Sequence, residues 1–262
     1  QLAVVAVTGT NGKTSSAWWL AQALSGATEG WAIPCGMIGT LGVGCPPAAN
    51  VAPTASALAA IQSTGLTTPD PVLLQKTLRR FVDQGLRACA IEASSIGIEE
   101  QRLAGTDVRV AILTNVTQDH LDYHSTMEAY WQAKRQLFAW PGLRAAVINL
   151  DDPLGRELVQ SLNSDTLDLW TVSIHQSARL QARNIRYESQ GVCFDLVEGD
   201  ATALLQTRLM GVYNVSNLLG VVAAMRSLGL PLPVAVRVCS TLHPVPGRME
   251  CLGELGEPLV VV

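Results

Sequence analysis

The stretch Leu2-Ala3-Val4-Val5-Ala6-Val7-Thr8-Gly9-Thr10-Asn11-Gly12-Lys13-Thr14 decides how this chain folds. Leu2 to Val7 is apolar and rich in valine, which predicts a buried strand. Two glycines follow, and Ser16 to Leu24 then has a helical pattern. A strand that turns through a glycine loop into a helix aims backbone N–H groups and a helix N-terminus at one spot, which suits phosphate oxygens. Gly9 and Gly12 let the backbone come close to a ligand. Lys13 would neutralise β/γ-phosphate charge, and the Thr14 hydroxyl would ligate Mg2+. The loop is a variant of G-x-x-x-x-G-K-[ST], because Val7 stands where that pattern has glycine. The competing reading is an ordinary βα turn with a surface lysine.

Working outward, Ala88 to Ile91 and Val108 to Leu113 predict buried strands, with a helix over Pro71 to Gln84 before the first. Helix Met127 to Phe138, strand Ala145 to Asn149, a helix over Asp152 to Ser161 and a strand over Leu167 to Ile174 continue the rhythm, which implies an α/β fold with a mostly parallel sheet flanked by helices. Segments Ala182 to Glu188, Gly191 to Val197 and Ala203 to Arg208, with a turn at Ser189-Gln190-Gly191, predict a small antiparallel β-meander beside that sheet. Helices over Val215 to Ser227 and Pro233 to Leu242 follow. Gly36 to Leu66 is irregular and is expected to be a glycine-rich hairpin followed by a mobile excursion.

Two hundred and sixty-two residues with 48% hydrophobic content suffice for one large buried core, and 15% charged residues point to a thick layered structure. No apolar run reaches the roughly 18 residues needed to span a bilayer, so a cytoplasmic protein is expected. A net charge of −4 argues against a nucleic-acid surface. Cys35, Cys45, Cys89, Cys193, Cys239 and Cys251 lack a C-x-x-C pair, so reduced, buried thiols are expected. The start at Gln1 and the end within Leu259 to Val262 lead us to expect an excised domain. Only Lys13, Lys76 and Lys134 are lysines among 18 basic residues, so they can mark positions where a point charge or a titratable amine is needed; Lys76, on an exposed helix face, breaks that pattern.

Glu92 ends the strand Ala88 to Ile91, where a sheet of this type places a Mg2+ or water ligand. The run Asp119-His120-Leu121-Asp122-Tyr123-His124 crowds ionisable groups just after the strand ending at Leu113. A zinc site on His120 and His124 is one reading, and a lone structural histidine is another.

Seven ordered segments together resemble the Mur ligase family: Thr8 to Thr14, Leu66-Thr67-Thr68-Pro69-Asp70, Glu92-Ala93-Ser94-Ser95, Thr114-Asn115 with Asp119 to His124, Ala133-Lys134, Gly211-x-Tyr213-Asn214-x-x-Asn217 and Pro246-Gly247-Arg248. The resemblance is strongest to the MurE branch, ATP-dependent ligases of peptidoglycan synthesis that add meso-diaminopimelate or lysine to a UDP-N-acetylmuramoyl dipeptide through an acyl phosphate. It implies that residues 1–262 are the central ATPase domain of a monomer, between a UDP-binding and an amino-acid-binding domain. It further implies that Gly9, Thr10, Asn11, Gly12, Lys13, Thr14, Ser15, Asn115, Asn214, Asn217 and Arg248 contact ATP. Thr14 and Glu92 would hold one Mg2+, with His120 and a carbamylated Lys134 on a second. Thr67, Thr68, Ser94 and Arg102 would contact the UDP-sugar-peptide, although Glu100 stands where relatives often have glutamine.

For several of these residues a structural role competes. Thr68 with Pro69 is also a good helix start, and Asn214 and Asn217 are also helix-capping types. A folylpolyglutamate synthetase-like ligase and a non-catalytic nucleotide-binding module are the alternatives. A GTP switch would need N-K-x-D and a dinucleotide site G-x-G-x-x-G, and the chain has neither.

Overall fold

The structure, a computed structural model, describes residues 2–28, 30–49, 51, 58–188, 191–248, 251–252 and 260–261. Residues 52–57 of the expected excursion, Ser189 and Gln190 of the expected turn, and Leu259 and Val262 lie outside the described residues.

Strand β1 (Ala3–Thr8) lies at the middle of a ten-stranded sheet, between β4 (Ala88–Glu92) and β5 (Val108–Leu113), and is parallel to both. Beyond β4 come β2 (Cys35–Gly39) and β3 (Gly42–Gly44), the expected hairpin. Beyond β5 come β6 (Ala145–Asn149) and β7 (Asp168–Ser173), both parallel. The antiparallel meander β8 (Leu180–Glu188), β9 (Gly191–Glu198) and β10 (Ala201–Thr207) prolongs the same sheet, because β8 pairs in parallel with β7. A separate ribbon joins β11 (Cys251–Leu252) to β12 (Val260–Val261).

Both faces of the central sheet are covered, which explains the unbroken apolar strands. Val5 and Val7 pack into one core with α1 (Lys13–Gly26), α7 (Val212–Ser227) and α8 (Leu232–Cys239). Val4 and Ala6 pack into the other with Leu74, Leu78 and Phe81 of α2 (Pro71–Asp83) and with Trp131 of α5 (Met127–Arg135). Helix α1 is buried from Thr14 to Leu24, which is why it is apolar on every side. The remaining helices are α3 (Ser95–Glu99), α4 (Leu121–His124) and α6 (Pro153–Ser161). Among the described residues, no helix is long and apolar enough to cross a membrane.

Helix α2 starts at Pro71 as expected, with Asp70 as its cap, accepting from the N–H groups of Val72 and Leu73; the competing start at Thr68 and Pro69 is not used, and both residues precede the helix. Three expectations are corrected. The helix from Met127 ends at Arg135 and tightens into a 3-10 turn over Gln136–Ala139. Helix α7 starts at Val212 with Gly211 at its cap, so Asn214 and Asn217 lie inside the helix and do not cap it. Cys45 is exposed, whereas Cys35, Cys89, Cys193 and Cys239 are buried.

Candidate active site

The strand order reverses about β1, and in open α/β sheets ligands bind beyond the strand C-termini at such a point. Val7 is level with Glu92 and Thr8 with Leu113, so the loops after β1, β4 and β5 leave the sheet side by side. A cleft of about 830 Å3 opens there, lined by Thr10 to Ser15, Thr40, Thr67, Glu92, Asn115, Thr117, Tyr213, Asn214, Asn217, Gly247 and Arg248.

The loop after β1 is fastened by the segment after β5. Thr10 N–H donates to the Asn115 carbonyl at 2.8 Å. Asn115 braces Asn11 in both directions, its Oδ1 accepting from Asn11 N–H at 3.0 Å and its Nδ2 donating to the Asn11 carbonyl at 3.1 Å. Thr114 Oγ1 donates to the same carbonyl at 2.6 Å. Gly9 and Gly12 both have positive φ, and a Cβ on Gly12 would run into Asn217 Oδ1, so this loop needs its glycines. Gly12 caps α1 without a side-chain hydrogen bond, leaving the first-turn amides of the helix for a ligand.

Glu92 is fully buried at the end of β4. Its Oε2 accepts from Thr14 Oγ1 at 2.9 Å, while Oε1 accepts from Thr40 N–H at 2.8 Å. Burial pushes the Glu92 carboxyl above its ordinary value, opposed by the Thr40 and Thr14 bonds and by the Lys13 ammonium. A carboxylate and a hydroxyl side by side are hard oxygen donors that could hold Mg2+. Burial lowers the Lys13 amine below the usual lysine range, against the pull of Glu92 and Asp119. That amine donates to the carbonyls of Gly9 at 2.9 Å and Thr10 at 2.7 Å.

Lys134, 1% exposed, donates to the same Gly9 carbonyl at 2.9 Å, and its amine sits 4.1 Å from the centroid of the Tyr130 ring. Burial first, and the Lys13 charge second, push it down to about 7. Tyr130 ties this amine to the loop, since its OH is 3.0 Å from Thr10 Oγ1. His120 has a left-handed φ of 51°, lies edge-on to Tyr130 at 6.1 Å, and has a half-exposed side chain 3.6 Å from Asp119 Oδ2. His124 is buried, with Nε2 2.9 Å from Ser95 Oγ and Nδ1 3.0 Å from Glu99 Oε2. Its Nε2 is taken by Ser95, and the described residues hold no group of three His, Cys, Asp or Glu arranged for a metal, so the zinc reading finds no ligand set.

Thus Lys13, Thr14, Glu92 and Thr67 share the cleft with the loop and with Asn115, Asn214, Asn217 and Arg248. Thr68, Ser94, Arg102, His120 and Lys134 lie outside its lining. Thr68 is 1% exposed, and its hydroxyl donates to the Glu92 carbonyl at 2.8 Å and accepts from Ser94 N–H at 3.0 Å. Ser94 caps α3, and Arg102 donates to the Thr68 carbonyl and pairs with Glu100 at 2.6 Å. Thr40 and Tyr130 were not among the expected site residues. The partners of these contacts, Glu92 and Thr10, are 52 and 120 residues away in sequence; no local pattern marks Thr40, and only the four-residue spacing to Lys134 marks Tyr130.

Residues 7–225 match the Mur ligase middle domain. The chain belongs to the Mur ligase family. The UDP-N-acetylmuramoyl-L-alanyl-D-glutamate–2,6-diaminopimelate ligase of Acidovorax sp. (strain JS42) is 55% identical over 266 residues, covering 100% of this chain and 50% of that protein. The ligase of the same name from Pseudomonas aeruginosa is 42% identical over 261 residues, again covering 100% and 50%. A solved ligase of that name superposes with a TM-score of 0.82 at 33% identity, over 97% of this chain and 49% of the other. An FPGS–AMPPCP complex, at TM-score 0.67 and 19% identity over 100% of this chain and 68% of the other, shares the Mur ligase fold. This Mur ligase chain spans about half the length of the curated relatives it matches.

Proposed function

We propose that this chain is the central ATP-binding domain of a MurE-type ligase, which adds 2,6-diaminopimelate or lysine to UDP-N-acetylmuramoyl-L-alanyl-D-glutamate. The meeting of Lys13, the Thr14 hydroxyl and the buried Glu92 carboxylate in one cleft carries this reading. The flanking UDP-binding and amino-acid-binding domains would lie outside residues 1–262, in a cytoplasmic monomer.

The reaction has two balanced steps. The glutamate carboxylate takes the γ-phosphoryl group of ATP, giving an acyl phosphate and ADP. The unprotonated amine of the incoming amino acid then attacks the acyl carbon, an amide bond forms, inorganic phosphate leaves with the C–O electron pair, and the nitrogen releases one proton to the departing phosphate or to solvent. Mg2+, when bound, supplies charge neutralisation between two anionic reactants. Lys13 balances phosphate charge and must leave the Gly9 and Thr10 carbonyls to do so. Thr14 and Glu92 would hold the metal through their oxygens, and Asn115 keeps Asn11 in place. Asn214, Asn217 and Arg248 form the nucleotide side of the cleft, and Thr67 the acyl-substrate side, backed by Thr68, Ser94 and Arg102.

Lys134, with a pKa of about 7, has much of its amine unprotonated at neutral pH, the form that adds to CO2 with loss of a proton. The resulting carbamate would turn a cation into an anionic oxygen ligand and, with His120, would serve a second Mg2+. Phosphate release by the intact protein, with ATP, the UDP-dipeptide and each amino acid supplied in turn, tests the reading. Release should require both substrates; release indifferent to the UDP-dipeptide would contradict it.

A further inference from the structure

Thr40 stands at the tip of the β2–β3 hairpin, and no recognised segment includes it. Its N–H donates to Glu92 Oε1 at 2.8 Å, and its Oγ1 donates to Glu92 Oε2 at 3.2 Å. The approach is tight, since a Cβ on the neighbouring Gly39 would collide with Glu92 Oε1. From the other side Thr14 Oγ1 reaches Oε2 at 2.9 Å. Thr40 Oγ1 also lies 3.0 Å from Thr67 Oγ1.

A hydroxyl has one proton to donate, and a carboxylate only accepts. With the Thr40 proton on Glu92, the Thr40–Thr67 contact requires Thr67 to be the donor. The chain of hydrogen bonds therefore runs from Thr67 to Thr40 to Glu92. Thr67 is left with lone pairs toward the cleft and no proton to offer.

We propose that Thr40 is a positioning residue that clamps the Glu92 carboxylate for the metal–nucleotide and polarises Thr67, so that Thr67 reads an N–H or O–H donor of its substrate and not an anionic group. The inference rests on the nucleotide-site reading above. When a cation takes the place between Thr14 and Glu92, the Thr14 proton must turn away, and the two Thr40 bonds remain to hold the carboxylate plane. Thr40 touches neither reacting atom and acts through Glu92 and Thr67.

The test uses the intact protein with AMPPCP as the nucleotide probe. Calorimetry at increasing Mg2+ gives the half-saturating metal concentration, and steady-state kinetics give KM for UDP-N-acetylmuramoyl-L-alanyl-D-glutamate. Thr40→Val keeps the backbone N–H and loses the hydroxyl; it should raise the half-saturating Mg2+ about tenfold. Thr40→Ser, which restores the hydroxyl, should stay within about twofold of the wild type. Thr67→Val should raise KM about tenfold and move the Mg2+ midpoint little. Combined with Thr40→Val, it should raise KM by less than the product of the single effects, because the two belong to one chain. An unchanged Mg2+ midpoint in Thr40→Val overturns the inference, as does an equal rise in Thr40→Ser, which would mark a packing effect. If Thr40→Val does not fold, Thr40→Ser and Thr67→Val decide, and a shifted midpoint in the first or an unchanged KM in the second overturns the inference. A wild-type protein that binds AMPPCP without regard to Mg2+ overturns the site reading itself, and this inference with it.

Discussion

Replacing Lys134 with methionine isolates what the buried amine costs. In the folded chain that amine falls to about 7 from the ordinary 10.5, first because burial removes its water and second because Lys13 repels it. At about 1.4 kcal/mol per pK unit, the charged form is disfavoured by at most about 5 kcal/mol. The bond to the Gly9 carbonyl and the Tyr130 ring face offset part of that cost. Between pH 7 and 10.5 the unfolded chain binds a proton at Lys134 that the folded chain does not, so stability must rise with pH across that window. Below the folded value both states are protonated, and the full penalty is present. Urea unfolding of wild type and Lys134→Met, in CO2-free buffer from pH 6 to 10.5, measures the difference. Wild type should gain on the variant by several kcal/mol as pH rises, with no further change below about pH 7. A difference that is flat across pH, or that falls as pH rises, would refute the reasoning.

Other substitutions separate framework from function. Gly12→Ala forces a Cβ onto Asn217 at a φ of 84°, so AMPPCP affinity should drop at least tenfold and stability by about 1–3 kcal/mol, read by calorimetry and urea melts. Thr68→Val orphans buried partners of its hydroxyl and should cost about 1–3 kcal/mol, well above Thr67→Val. Asp70→Ala should lower thermal stability by about 1 kcal/mol through loss of the α2 cap; equal stability would return the cap to Thr68.

The strand–loop–helix at the start was legible because an unbroken valine-rich run, two glycines and a lysine carry their meaning locally, and the structure places Val5 and Val7 against one core and Val4 and Ala6 against the other. The start of α2 at Pro71 was legible too, but its cap was not, since Thr68-Pro69 and Asp70-Pro71 are equivalent cap-and-proline pairs. Tertiary contact decides between them: the Thr68 hydroxyl is drawn to the Glu92 carbonyl and Ser94, which leaves Asp70 for the helix. The continuation of the sheet into the meander depended on the parallel pairing of β8 with β7, and hydrophobic period does not encode which edge a strand joins. At the site, Lys13, Thr14 and Glu92 could be read from their places at strand and helix ends. Thr40 could not, because only the folded hairpin brings it to Glu92. Tyr130 lies one helical turn before Lys134, so the spacing put ring and amine on one face, but the bond to Thr10 needed the fold.

The account depends above all on Thr14 and Glu92 holding the metal of a bound nucleotide. Calorimetric titration of AMPPCP into the intact protein, with Mg2+ or with EDTA, for wild type and Glu92→Gln, measures this directly. Wild type should bind at least tenfold more tightly with Mg2+, and Glu92→Gln should lose that advantage while keeping its fold. Equal wild-type binding in Mg2+ and EDTA, or an undiminished Mg2+ effect in Glu92→Gln, would contradict it.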